Sequence, residues 1–331
     1  MTRRNLITDV PGLKVGNAHD AALASGVTAL VFDAPAVASI AIHGGAPGVR
    51  DGALLEPEMT VDRVDALVLS GGSAFGLDAS GGVMAALREA GRGFQIGDVR
   101  VPIAPGAIVF DLLNGGDKGW SGQPPYWALG HAAAQSVGLD FALGTAGAGY
   151  GATTVNLKGG LGSASGATST GYNVGALVVV NAVGQATMGD GPHFWAAPFE
   201  RDGEFGGLGL PQTLPANALA CRMKGDAPQN TNIAIVATDA PLNKAQCRRM
   251  AVQAHDGMAH ALRPSHAALD GDLIFAASTG LSPTLPSLRD LTELGTIAAD
   301  CLARAIARAV HSAQALPFPG ALPAWRDRFT P

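Results

Sequence analysis

The stretch Gln229-Asn230-Thr231-Asn232-Ile233-Ala234-Ile235-Val236-Ala237-Thr238-Asp239 constrains the fold most, because a polar turn ends in a hydroxyl residue and an apolar run follows at once. A run of about four to eight apolar or β-branched residues bounded by turn signals reads as a strand buried on both faces. Such a strand needs cover above and below. Thr231 becomes its first residue, with the hydroxyl rigidly held. Were the bond before Thr231 cut, its α-amino group, with a pKa of roughly 7.7–8.0, would serve as general base for the neighbouring hydroxyl. One residue would then supply both nucleophile and base. Pro228-Gln229-Asn230 also reads as an ordinary turn and Thr231 as an ordinary strand opener, so the rest of the chain must decide.

The 331 residues suffice for a substantial core, and 47% hydrophobic against 15% charged residues excludes a disordered chain. A net charge of −5 offers no basic field for a phosphate backbone, so nucleic acid is not an expected partner. Cys221, Cys247 and Cys301 have no metal-ligand spacing, and their odd count makes a poor disulfide framework, which points to a reducing compartment. No apolar stretch approaches the roughly 18 residues a membrane span needs, and the basic N-terminus lacks an apolar signal core. The expectation is a cytoplasmic chain with no membrane partner. The 45 glycines fall in clusters between apolar runs and predict sharp turns and close backbone packing.

Along the chain, Gly26–Phe32 and Val37–Ile42 read as two strands joined by a turn at Asp33-Ala34-Pro35-Ala36, a hairpin. The loop His43-Gly44-Gly45-Ala46-Pro47-Gly48 follows, then a strand over Ala66–Leu69 running into Ser70-Gly71-Gly72-Ser73-Ala74-Phe75-Gly76-Leu77. Neither glycine loop has a P-loop ending or opens a dinucleotide-binding unit. Helices are predicted over 79–90 and 127–137, with strands near Phe141-Ala142-Leu143 and over Val174–Val180. Lys158-Gly159-Gly160-Leu161-Gly162 puts one lysine where backbones crowd, and Asn181 closes a buried strand. Residues 188–230 read as a long proline- and glycine-rich loop. Asn243 and Gln246 form a capping box for a helix through Leu262. His255 and His260 lie on or near it without a third ligand nearby in sequence, and read as structural or surface histidines. Asp270-Gly271-Asp272 opens the strand Leu273–Ala277, and a final helix covers Thr292–Ser312.

Taken together, Thr8-Asp9-Val10-Pro11-Gly12-Leu13-Lys14-Val15-Gly16, His43–Gly48, Ser70–Leu77, Lys158–Gly162, Val180-Asn181, Asn230-Thr231 and Asp270-Gly271-Asp272 resemble the self-processing L-aminopeptidase/D-esterase family, which includes β-peptidyl aminopeptidases and nylon-oligomer hydrolases. The resemblance implies a single domain over 1–331 that cuts itself between Asn230 and Thr231 into an α chain (1–230) and a β chain (231–331). It implies an α/β fold, a four-layer αββα sandwich similar to N-terminal-nucleophile hydrolases but with different connectivity. It also implies a homo-oligomer of αβ units, no cofactor and no metal.

Carried onto this sequence, the resemblance makes Thr231 the nucleophile, Lys158 a cation beside it, Asn181 an oxyanion donor, and Asp270 and Asp272 the acidic positions. Tyr150 is a candidate for a tyrosine that some members use near the oxyanion. The substrates would be amides, esters or short peptides with a free amino terminus, held by an acidic side chain. Some members carry Ser-x-Glu at the acidic site, where this chain has Asp-Gly-Asp. Two other readings are an acyltransferase resembling ornithine acetyltransferase, which also cuts before a threonine, and a non-catalytic scaffold of the same fold.

Overall fold

The computed structural model describes residues 3–225 and 230–329. Pro228 and Gln229, read above as part of a turn, lie outside the described residues. In chain order the elements are β1 (Leu13–Asp20), β2 (Ser25–Ile42), β3 (Val49–Arg50), β4 (Arg63–Ser70), α1 (Ala79–Glu89), β5 (Phe94–Ile96), β6 (Val99–Val101), β7 (Gly106–Ile108) and α2 (Tyr126–Gln135). After them come β8 (Gly160–Ala167), β9 (Asn173–Asn181), β10 (Thr231–Thr238), α3 (Lys244–Ala261), β11 (Leu273–Ser278), α4 (Leu288–His311) and α5 (Trp325–Phe329). The β5–β6 pair stands apart from the main sheet.

The other strands hydrogen-bond in the order β3-β7-β4-β2-β11-β10-β9-β8, with β1 also on β2. Strand β2 carries this path from one layer to the next. Its first half pairs with β1 and β4, its last six residues pair with β11, and the register shifts between Val31 and Ala36. Here the structure departs from the expected hairpin: Asp33–Ala36 is a bulge within one strand, not a turn between two. Pro35 has no amide to give the ladder, and the extra residues bend the strand without reversing it.

Alternating side chains define four layers. Leu177, Val179, Ile233, Ile235 and Phe275 from the β8–β11 side meet Leu13, Val15, Leu30, Phe32, Leu67 and Leu69 from the β1–β4 side in a shared interior. On the outer face of the first half, Val178, Val180, Val236 and Ile274 pack under Cys247, Met250 and Met258 of α3 and Leu302 and Ile306 of α4. On the outer face of the second, Val27, Ala29, Val31 and Val68 pack under Val83 and Leu87 of α1 and Ala133 of α2. This is the expected αββα sandwich, and it explains why β9, β10 and β11 lack a polar face: both of their surfaces are covered.

Smaller differences are local. Phe141-Ala142-Leu143 is not a strand, because these residues pair with no strand and the Ala142 carbonyl accepts instead from the Asn17 side chain. Helix α4 begins four residues before the expected start, because Ser287 accepts from the Asp290 amide and the Asp290 side chain returns to the Ser287 amide. The capping box of Asn243 and Gln246 on α3 is formed as read. Among the described residues no helix is long and apolar enough to cross a membrane.

Candidate active site

Thr231 opens β10 at the edge of the buried layer and is 3% exposed. Its Oγ1 donates to the carbonyl oxygen of Asn230, so the hydroxyl lies against the peptide group that precedes it. In the antiparallel register with β9, Thr231 sits opposite Asn181. The parallel register with β11 pairs Ile233 with Leu273, so two residues earlier the Asp270-Gly271-Asp272 turn faces Thr231. Gly271 must be a glycine there, since a Cβ would stand 2.7 Å from Thr231 Oγ1 and 2.9 Å from the Ala46 carbonyl.

The glycine loop after β2 clamps this turn from below. His43 and Gly44 amides donate to the Asp272 carbonyl at 3.0 Å each, and the Ala46 amide donates to the Asp270 carbonyl at 2.8 Å. A Cβ on Gly44 would meet the Asp272 nitrogen at 2.3 Å, so the two backbones approach more closely than any side chain permits. The motif His43–Gly48 therefore shapes the acidic turn rather than a phosphate cradle.

The two aspartates have opposite electrostatics. Asp272 Oδ1 accepts from the Asn232 amide (2.9 Å) and Asn232 Nδ2 (2.8 Å), while Oδ2 accepts from the His266 amide (2.8 Å) and has His266 Nδ1 at 3.0 Å. Burial alone would raise its pKa. These donors outweigh burial and keep it ionised, below the usual carboxylate range. Asp270 has only the Gly271 amide on Oδ1 at 3.0 Å, and Oδ2 has no hydrogen-bond partner among the described residues. Burial, then the neighbouring Asp272 charge, push its pKa well above the carboxylate range, so in the uncut chain Asp270 is a neutral acid.

Asn181 has its amide orientation fixed. Its Oδ1 accepts from the Thr153 amide at 3.0 Å and from Lys224 Nζ at 3.1 Å, leaving Nδ2 as the donor end, which reaches the Phe110 carbonyl at 2.9 Å. Lys158 is 1% exposed, and its ammonium donates to the carbonyls of Gly149 (3.1 Å), Ala152 (2.7 Å) and Gly159 (3.1 Å). Three carbonyls favour the charged form. Burial, helped by the nearby Lys224 charge, opposes it and brings Lys158 down to about 7 even with Asp111 close by. Lys224, also held by the Thr153 carbonyl at 2.8 Å, is likewise brought down to about 7 by burial, with Asp270 and Asp111 pulling the other way.

The expected site residues Asn230, Thr231, Asn181, Asp270 and Asp272 thus lie on three adjacent strand ends, and Lys158 stands two residues before β8, the next strand over. The Tyr150 ring stacks on His19 with centroids 4.4 Å apart. Sequence reasoning missed Lys224, Asn232, Thr153 and His266. The only available signal was that Asn232 follows Thr231 directly and that Lys224, with Arg222, lies shortly before it. A cavity of about 370 Å³ opens on the Asn181 side, lined among others by Asn114, Thr153, Thr154, Lys224, Phe318 and Leu322.

The model of peptidase family S58 matches residues 5–321. The chain belongs to peptidase family S58. An uncharacterized aminopeptidase of Mycobacterium tuberculosis H37Rv is 41% identical to this S58 chain over 347 aligned positions covering 98% of each chain. The 6-aminohexanoate-oligomer endohydrolase of Kocuria sp. KY2 is 27% identical, with 93% of this chain and 86% of that protein covered. Among solved structures, a Burkholderia sp. beta-aminopeptidase superposes with a TM-score of 0.72 at 22% identity, covering 98% of this chain and 92% of that one. The L-aminopeptidase D-Ala-esterase/amidase of Ochrobactrum anthropi, described as a variant of the Ntn hydrolase fold, gives 0.69 at 22% identity, with coverage of 98% and 91%. The S58 chain is a hydrolase of the aminopeptidase and amidase class.

Proposed function

We propose that this S58 hydrolase cuts itself between Asn230 and Thr231 and then removes N-terminal residues from amides, esters or short peptides, with Thr231 as nucleophile. The observation that carries this reading is the seating of the Thr231 hydroxyl against the Asn230 carbonyl, between Asn181 and the Asp270-Gly271-Asp272 turn.

In self-cleavage Thr231 Oγ1 attacks the Asn230 carbonyl carbon, the C–N bond breaks, and the hydroxyl proton passes to the departing nitrogen. The product is an ester between Asn230 and the Thr231 side chain. Water hydrolyses it, leaving an Asn230 carboxylate and a Thr231 with free hydroxyl and free amine. In turnover the same oxygen attacks the substrate carbonyl while the α-amine takes its proton. The leaving amine or alcohol departs, and water releases the acyl group. Asn181, oriented by Thr153 and Lys224, supplies the amide donor for the oxyanion. Such a donor contributes on the order of 2.7–4 kcal/mol. The Lys158 and Lys224 charges disfavour protonation of the new α-amine and keep it basic near neutral pH.

Asp270 gains its role only after the cut. It is neutral in the precursor, and an ammonium that a substrate brings beside it draws it toward ionisation and into an ion pair. That pair selects acyl groups carrying a free amine. The relatives named for aminopeptidase activity and for 6-aminohexanoate oligomers support amine-bearing amides as the substrate class. Because Thr231 and Asn230 are 3% and 4% exposed in the uncut chain, substrate access follows departure of the Asn230 arm. A denaturing gel with N-terminal sequencing tests the proposal. The parent should give two fragments, one beginning Thr-Asn-Ile-Ala, and hydrolyse aminoacyl p-nitroanilides, while Thr231→Ala stays whole and inactive. Parent-rate hydrolysis by Thr231→Ala overturns it.

A further inference from the structure

Beside Asp272, three histidines from separate parts of the chain converge: His43 after β2, His255 on α3 and His266 in the loop before β11. One ring nitrogen from each lies within 4.8 Å of the others. The sequence reading set His255 beside His260; the structure sets it instead beside His43 and His266, which come from loops away from α3.

We propose that His43, His255 and His266 bind one divalent transition-metal ion of the zinc, cobalt or nickel type, with Asp272 as the outer carboxylate that orients His266. The donor chemistry is set by the surrounding hydrogen bonds. His255 is 2% exposed and its Nε2 lies 3.1 Å from the Ala41 carbonyl, which accepts but cannot donate. The proton therefore resides on Nε2, and the lone pair resides on Nδ1, which is buried and has no hydrogen-bond partner among the described residues. His266 Nδ1 lies 3.0 Å from Asp272 Oδ2, off the line of a good hydrogen bond but close enough that a lone pair facing the carboxylate is repelled. Its proton belongs on Nδ1, and Nε2 is left to ligate, the carboxylate–histidine arrangement that raises ligand basicity in metal sites. Neutral imidazole nitrogens suit borderline ions and not magnesium or calcium.

Two features indicate how the site assembles. His266 adopts a left-handed backbone with φ of 55°, unusual for a residue with a Cβ, and this turns its ring toward the other two. His43 stacks on His255 with centroids 3.7 Å apart and planes 16° apart, and two parallel rings cannot both point at one ion. His266 stands edge-on to both, with centroids at 4.8 Å from His255 and 5.3 Å from His43, which suits a shared ion. His43 is exposed, so it closes the site by swinging about its Cα–Cβ bond until three nitrogens come within about 2.0–2.1 Å of the ion. Asp256 adds a nearby negative charge.

The test uses the full chain, untagged and stripped with chelator. Cobalt(II) is titrated at pH 7.5 and followed by its visible absorption, with zinc(II) followed by calorimetry and by the thermal midpoint. The expected result is one ion per chain, a raised midpoint, and at least tenfold weaker binding in His43→Ala and in His255→Asn. His43 is exposed, so its variant tests the site without disturbing the core, and circular dichroism checks that both variants are folded. Absence of stoichiometric binding overturns the proposal. So does binding that both folded variants retain at parent strength, which would place the ion elsewhere.

Discussion

Asp270 and Asp272 lie one residue apart on a buried turn, and replacing each with asparagine should give very different results. Asp272 accepts three hydrogen bonds, two from Asn232 on Oδ1 and one from the His266 amide on Oδ2, with His266 Nδ1 also 3.0 Å from Oδ2. An amide keeps one acceptor end and turns an NH₂ toward the His266 amide, so one hydrogen bond is lost outright and the two from Asn232 lose their charge assistance, together worth about two charge-assisted hydrogen bonds. At about 1.5–3 kcal/mol each, Asp272→Asn costs about 3–6 kcal/mol. With unfolding entropy near ~2.1 cal/mol/K per residue over 331 residues, the midpoint falls by about 4–9 °C. Asp270 is already neutral and has one donor, so Asp270→Asn exchanges a carboxylic acid for a near-isostere and changes stability by less than about 1 kcal/mol. Both variants are built on Thr231→Ala, so that uncut chains are compared, and melted by calorimetry at pH 7.5. The sign with pH follows from the pKa directions. Asp272 is held below its unfolded value of 3.8, so its contribution is complete above that pH and disappears as pH falls through the folded value, closing the gap between parent and Asp272→Asn in acid. An Asp270→Asn chain destabilised as much as Asp272→Asn would refute the assignment of charge to the two residues.

Two further outcomes are expected. Gly271→Ala places a Cβ 2.7 Å from Thr231 Oγ1 and must shift the hydroxyl by a good fraction of an ångström, so precursor conversion on a gel time course should slow by about 10²-fold while the chain stays folded; conversion at the parent rate would show that the hydroxyl position does not matter. Lys158 loses its proton near 7 when folded but near 10.5 when unfolded, so its contribution to stability grows as pH rises across that window. The stability advantage of the parent over Lys158→Met should be larger at pH 9.5 than at 6.5, by up to about 3 kcal/mol in chemical denaturation, and an advantage that shrinks with pH would contradict the buried-ammonium assignment.

The sequence alone determined what local rules can determine. The uninterrupted apolar runs of β9, β10 and β11 announced strands covered on both faces. The Asn243 capping box announced α3, and the ordered motifs announced an αββα hydrolase with a threonine at a strand start. These signals are legible because each lies within a few residues of chain. Pro35 misled in the same local terms. It looked like a turn, and only pairing with β4 and β11 made it a bulge in an 18-residue strand that joins the two layers.

What tertiary structure decided is charge state and company. Lys158 stood in the sequence where backbones crowd, but only the fold closes three carbonyls on it, and Lys224 was one cation in a long loop until it reached Asn181. Asp270 and Asp272 are chemically identical in sequence. They differ because one oxygen pair faces donors from Asn232 and His266 and the other faces little but buried surface. His43, His255 and His266 are separated by up to 223 residues, and only the folding of β2 against β11 and α3 brings them together. Burial and hydrogen bonding set a pKa through atoms that are distant along the chain, so no reading of neighbouring residues supplies it.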